Sequence, residues 1–407
     1  MRPPPAALAA ALARAACGGG SAAATGAAGA AGAGAGAATR WRGSGTGDAR
    51  PSFARGFASG GSGDQAGPAS GSGSGEGSGS GSSGGGGGTT LLHGSGGGGG
   101  SGSGGGGPSP RRLEPSAEEI RAAFAHCAQI VSRHDPEALA CAVHLPRDIR
   151  ARALALRAFN IELLLAGEAV RSKERALAAI RFQWWRDALA QLSRGAPPPA
   201  HPVLTALWAA SKEAKLSGYH FRRIIDAREE EFGRDKPPLT LEELEERCEA
   251  TSGQLLYLTL AAGGIASRDA DHAASHLGKA AGISLALRGT PFQAARRRAL
   301  LPLEVCARHK VSQEEIFRGP PAGEELRDAA LELGSAARAH LSECRALAPR
   351  LPPGAAPLLL PAVLVGEYLR ALEARGFDPF DPGLPAGGVS PLRRTLLLKW
   401  HALRGTY

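Results

Sequence analysis

Nowhere in this 407-residue chain does an apolar run approach the roughly 18–20 residues that a bilayer-spanning helix needs. A helical membrane anchor therefore has no candidate segment. Aromatics are scarce, at 5% of residues, and no block of Lys and Arg exceeds three. The net charge of +9 is dispersed, with +3 in residues 1–110 and +6 beyond. Lacking a dense basic face with interleaved aromatics, the chain is not expected to bind nucleic acid. The six cysteines (Cys17, Cys127, Cys141, Cys248, Cys306 and Cys344) include no C-x-x-C pair, and no histidine stands at zinc-finger spacing from a cysteine pair. A structural metal is not expected, and buried free thiols in a reducing compartment are. There is also no Walker loop, Rossmann glycine motif, GxSxG elbow or HExxH.

Acid is missing from the N-terminus, where no Asp or Glu precedes Asp48 while Arg2, Arg14, Arg40 and Arg42 lie in an alanine-rich context. That composition fits an organelle transit peptide. A secretory signal would carry a stronger apolar core, and compositional noise is the other alternative. Of the 58 glycines, 38 fall in residues 1–107. Such a tract cannot bury enough surface to offset its ordering entropy and is expected to be disordered. The organisation read from this is a mitochondrial transit peptide over 1–45, a disordered Gly/Ser-rich linker over 46–110, and a folded domain over 111–407.

What the folded part does have is helical periodicity, with no sustained period-two alternation. It opens with a capping box, Ser116 followed by Glu119. About a dozen helices joined by short loops are expected, packed as one large all-α domain. The helix after Ser267 is expected to stop near Gly289 and Pro291, with Arg288 in its last turn meeting the negative end of the dipole.

Four phrases, in order, resemble the squalene/phytoene synthase family. "ALRAFNIELL" (Ala155 to Leu164) takes the place of its "YAFCR…DD" helix, and "RFQWWRDAL" (Arg181 to Leu189) that of its "LxWWRDEL" segment. "TLEELEERCEATSGQLLYL" (Thr240 to Leu258) is similar to "ELxxYCxxVAGxVG", and "HLGKAAGISLALRGTPFQAARRRALLP" (His276 to Pro302) to "LGxALQLTNILRDVxEDxxRGRxYLP". The resemblance implies the trans-isoprenyl-diphosphate-synthase-like helical fold. "ALRAFNIEL", "LLYLTL", "DADHAASHLGKAAGI" and the terminal "TY" look closer still to a non-catalytic branch of the family. That branch implies a role in assembling respiratory complex I, on the matrix side of the mitochondrial inner membrane. Complex I subunits or assembly intermediates would be the partners, with peripheral contact to inner-membrane lipid and no cofactor.

The family's enzymes ionise an allylic diphosphate with two Asp-x-x-x-Asp pairs. The i,i+4 spacing sets both carboxylates on one helix face, where they hold Mg²⁺ ions against the diphosphate. By resemblance the first pair falls on Leu164 and Glu168, and the second on Gly289 and Gln293. The asparagine before the second pair falls on Leu285 and the neighbouring glutamine on Gly282. No catalytic residue is expected. Glu168, Asp226 and Glu230 are weak candidates for a residual metal site. The alternative for the last two is a solvated acidic face (Asp226, Glu229, Glu230, Glu231) paired with Arg222, Arg223 and Arg228. Arg288, Arg296, Arg297 and Arg298 are candidates for residual anion or partner contacts. His272 and His276, also i,i+4, read as a metal pair or as packing histidines. The final helix sets Leu392, Leu396, Trp400 and Leu403 on one face. It is expected to pack that face in the core, the alternative being a membrane or partner surface. The other readings of the whole are an active prenyl-diphosphate transferase with an altered Mg site, or an isoprenoid- or lipid-binding module.

Overall fold

The computed structural model describes residues 114–169, 175–234, 236–384 and 390–407, with side chains omitted at 167–169 and at 175–176. The expected transit peptide and Gly/Ser linker lie outside the described residues. Among the described residues there is no strand, and helices account for the fold. In chain order they are α1 (Ala117–His134), α2 (Pro136–Ala142), α3 (Arg147–Ala169), α4 (Arg175–Ser193), α5 (Pro202–Glu213) and α6 (Gly218–Gly233). Then come α7 (Leu241–Cys248), a π-helical turn (Glu249–Gly253), α8 (Gln254–Ala262) and α9 (Arg268–Ala294). Short α10 (Leu303–Arg308) and α11 (Gln313–Arg318) lead to α12 (Glu324–Ala346), α13 (Pro361–Glu373) and α14 (Pro391–Arg404).

Local chemistry sets the ends of these helices. The Ser116 hydroxyl accepts from the Glu119 N–H at 3.2 Å while the Ser116 N–H donates to Glu119 Oε2 at 2.7 Å, closing the expected capping box. Thr240, Ser267 and Ser312 cap α7, α9 and α11 in the same sense. Between α7 and α8 the helix widens into the π turn, where Gly253 comes against α9. A Cβ on Gly278 would stand 2.5 Å from the Gly253 Cα. The wider turn also aims the Glu249 carboxylate at two donors, the Tyr257 hydroxyl and Ser275 Oγ (2.8 Å).

Packing puts α9 at the centre, lying along α12 and against α7, the π turn, α8 and α13. α1 packs on α3 and α5, and α4 on α6. The core is mostly leucine and alanine, with Phe159 fully buried and set edge-on to Trp185 and Phe221 at 5.4 and 5.3 Å. Each fully buried Leu contributes about 1.5–3 kcal/mol. Alanine and glycine let the backbones approach closely. Cys141, Cys248, Cys306 and Cys344 are buried free thiols, as expected, and Cys127 is buried as well. Burial pushes the Cys141 and Cys248 thiols up to about 12, so neither is a reactive thiolate.

One helix end differs from expectation. α9 runs straight through Pro291 to Ala294. The proline forfeits one backbone bond, the one to the Leu287 carbonyl, and the Thr290 hydroxyl separately donates to the Ala286 carbonyl at 3.0 Å. Thr290 and Ala294 are buried, and that packing carries the helix past the break. Arg288 is thus nearly two turns short of the helix end and does not cap it.

Candidate functional site

The first candidate positions lie on α3, where Asn160, Leu164 and Glu168 form an i, i+4, i+8 stripe. Leu164 is 40% exposed, and the side chain of Glu168 lies outside those described. Arg228, on α6, reaches this stripe. Its Nε and Nη2 donate to Asn160 Oδ1 at 3.2 and 3.1 Å, and its Nη1 to Glu231 Oε2 at 2.6 Å. A fixed guanidinium therefore stands one helical turn from Leu164.

The acidic run on α6 is closed by arginines. Arg186, from the Trp-Trp-Arg-Asp phrase on α4, donates from Nε and Nη2 to Asp226 Oδ1 at 3.0 and 2.6 Å and also bonds Glu229. Glu230 pairs with Arg234, and Glu231 with Arg228. Of the three arginines expected to pair with this face only Arg228 does so. Arg222 and Arg223 are exposed and form no ion pair among the described residues, because α4 and the end of α6 supply Arg186 and Arg234 instead. Arg234 continues to Glu243, whose carboxyl is held down to about 2 by the Leu239 N–H (2.6 Å) and by Arg247 (2.6 Å). Asp226 and Glu230 are thus engaged by different cations. Among the described residues no three His, Cys, Asp or Glu side chains are placed to hold a metal ion.

The second candidate positions lie on α9. A Cβ on Gly289 would meet only Leu300 Cδ1, at 3.5 Å. Gln293 Oε1 is buried with no hydrogen-bond partner. Leu285 and Phe292, about half exposed, give this part of the helix an apolar outer face. Arg288 Nη1 bonds both oxygens of Glu137 on α2, at 3.0 and 2.9 Å, and its guanidinium lies 6.0 Å from the Tyr368 ring. The three consecutive arginines do not converge. Arg296 stacks 3.4 Å over Phe292, Arg297 pairs with Glu314 at 2.8 Å, and Arg298 donates to the Arg234 carbonyl at 3.3 Å.

Two further groups belong to the picture. His276 Nε2 lies 3.2 Å from His272 Nε2, and His276 Nδ1 lies 2.9 Å from His340 Nδ1 on α12. His340 Nε2 in turn lies 3.1 Å from Glu245. The third imidazole is 64 residues away in sequence, so only the fold reveals it. Burial and the two neighbouring imidazoles hold the His276 pKa below the usual value. A small, half-open pocket lined by Leu154, Leu256, Leu358, Arg157 and Thr259 contains none of the candidate positions. On α14 the expectation of core packing is corrected. Leu392, Leu396, Trp400 and Leu403 are 72, 60, 52 and 78% exposed, and Leu398 is the buried anchor.

Sequence reasoning missed Asn160, Arg234, Glu245 and His340, and did not single out Arg186. Arg186 alone had a local signal, inside the Trp-Trp-Arg-Asp phrase.

Residues 131–401 match the family model for squalene/phytoene synthase. The mouse (Mus musculus) protein named NADH dehydrogenase (ubiquinone) complex I, assembly factor 6 is 38% identical over 259 residues, 64% of this chain and 76% of the relative. The human (Homo sapiens) protein of that name is 36% identical over the same shares. Among solved structures, a dehydrosqualene synthase in complex with ligand is similar at TM-score 0.61 and 20% identity, covering 70% of this chain and 96% of that one. A squalene synthase from Alicyclobacillus acidocaldarius is similar at TM-score 0.58 and 19% identity, covering 65% and 97%. At these identities the solved structures speak to the fold alone.

Proposed function

This chain belongs to the squalene/phytoene synthase family, and we propose that it serves there as a non-catalytic assembly factor for respiratory complex I. The observation that carries the reading is its 36–38% identity, across 76% of their length, to mammalian proteins whose name states that role. Its place would be the mitochondrion, peripheral on the matrix side of the inner membrane. Complex I subunits or assembly intermediates would be its partners. Among the described residues no helix is long and apolar enough to cross a membrane, which is compatible with that placement.

The site residues support the non-catalytic part of the reading. A diphosphate clamp needs anionic oxygen ligands on two facing helices. Leu164 and Gly289 offer no oxygen, and Gln293 offers only a neutral amide. The nearby carboxylates Asp226, Glu229, Glu230 and Glu231 are each bonded to arginine. The residues present do not fit a two-sided Mg²⁺ clamp, and no reaction step is assigned to them. The helical shell instead offers a surface for a partner.

Deleting the gene in cells and resolving respiratory complexes on native gels tests the role. Loss of assembled complex I, restored by the intact chain, is expected; normal complex I levels would overturn it. Incubating purified protein with farnesyl or geranylgeranyl diphosphate and Mg²⁺ tests the other half. Turnover that Glu168→Ala abolishes would replace this reading with an active transferase.

A further inference from the structure

The last helix is joined to the fold along one side only. Leu398 is fully buried against Cys141, Leu360, Val363 and Leu364, with Leu397 and Ala402 packed beside it. At about 100° per residue, Leu396 and Trp400 lie roughly 160° around the axis from Leu398, with Leu392 and Leu403 close to the same line. The outer ridge of α14 is therefore four large apolar side chains long and at least half exposed throughout.

Its charge is one-sided. The segment from Pro391 to Arg404 holds Arg393, Arg394, Lys399 and Arg404 and no acidic residue. Lys399 flanks one edge of the ridge, and Arg393 and Arg404 flank the other. Arg393 is tied at 2.9 Å to the buried Glu367, which fixes the helix to α13. Arg394, Lys399 and Arg404 form no ion pair with an acid among the described residues, and Arg404 lies 4.0 Å over the Trp400 ring. An apolar ridge with cations on both edges and an indole among its side chains has the make-up of an interfacial helix. A sheet of anionic headgroups over acyl chains meets the ridge and both edges at once, whereas a protein groove would have to bring acids to two separate rims.

We propose that α14 lays its Leu392–Leu396–Trp400–Leu403 ridge into the interface of a membrane bearing anionic lipid, with Lys399 and Arg404 at the headgroups. This names the contact for the peripheral placement above, and it rests on that part of the reading only.

The test is flotation of the full chain with phosphatidylcholine vesicles, with and without phosphatidylglycerol. Binding only to the anionic vesicles, weakening as salt rises, is expected. Leu396→Ser and Trp400→Ser should each lower the partition coefficient roughly tenfold or more. Lys399→Glu should weaken binding by a similar factor. All three side chains are exposed, so an unchanged circular dichroism spectrum is expected and separates lost binding from lost fold. The proposal is overturned if the chain ignores anionic vesicles, if the variants bind like the parent, or if charge-free vesicles bind equally well. It is also overturned if light scattering shows a dimer that Leu396→Ser dissociates, which would give the ridge to a second copy. None of these results touches the native-gel assay, which decides the assembly role separately.

Discussion

Gly282 and Gly289 sit two turns apart on α9, and their surroundings differ. A Cβ on Gly282 would stand 2.2 Å from Cys248 Sγ and 2.5 Å from its Cβ, inside the contact with α7. A Cβ on Gly289 would find a single neighbour at an ordinary 3.5 Å. The first glycine is demanded by helix–helix approach, like Gly278 against Gly253. The second is not, since packing leaves room for a Cβ where the family's resemblance places a metal-binding carboxylate. The fold constrains Gly282 and does not constrain Gly289, which lies on the stretch of α9 where Leu285 and Phe292 are half exposed.

The comparison breaks most visibly at Gly282. Gly282→Ala should destabilise by roughly 2–3 kcal/mol through overpacking, seen as a fall in the denaturant midpoint. Cys248→Ala should relieve only part of that, because the Cys248 Cβ is also in the way; a double-mutant cycle measures the coupling. Next in size is Arg186→Ala, which strips Asp226 and Glu229 of their shared cation. The pair is partly solvent-exposed, so a loss of about 1 kcal/mol is expected in the same measurement. Gly289→Ala should act in the opposite sense to Gly282→Ala, stabilising by about 0.5–1 kcal/mol as glycine leaves a helix interior. A destabilised Gly289→Ala would erase the distinction between the two glycines.

The smallest effect expected is with pH. Burial holds the pKa of His201 below 6.5; its ring lies against Trp184 and Trp185, and its Nδ1 is buried without a hydrogen-bond partner. The unfolded chain therefore takes up the proton first as pH falls. Stability is full above the unfolded value and declines as pH drops from about 6.5 toward the lower folded value. His201→Leu should flatten that decline, and an unchanged acid limb would show that the histidine does not contribute.

Much of this architecture could be read from the residues before any coordinates. Helical spacing located most of the helices, and the Ser116–Glu119 box placed the first start. Pro291 was misleading because a proline's local cost is visible in sequence while the burial of Thr290 and Ala294 that outweighs it is not. The π turn carries no comparable local signal, and the residue that its Gly253 meets, Gly278, lies on another helix. At the site, the uncharged character of Leu164, Gly289 and Gln293 was plain. The identity of the cations covering Asp226 and Glu230 was not, because Arg186 arrives from a helix 40 residues upstream of its partner. The ridge on α14 was seen as a stripe, but which side of the helix faced Leu360 and Val363 was a matter of packing alone.

The row His272–His276–His340–Glu245 has a direction built into it. A carboxylate only accepts, so Glu245 calls for a proton on His340 Nε2. With the rings neutral, His340 Nδ1 then accepts from His276 Nδ1, and His276 Nε2 from His272 Nε2. Each neutral ring is left with one permitted tautomer, set by its neighbour, like a line of tiles that can lean only one way. The surface ring at His272 and the Glu245 carboxylate on α7 are thereby linked by a polarity that no single residue among them possesses.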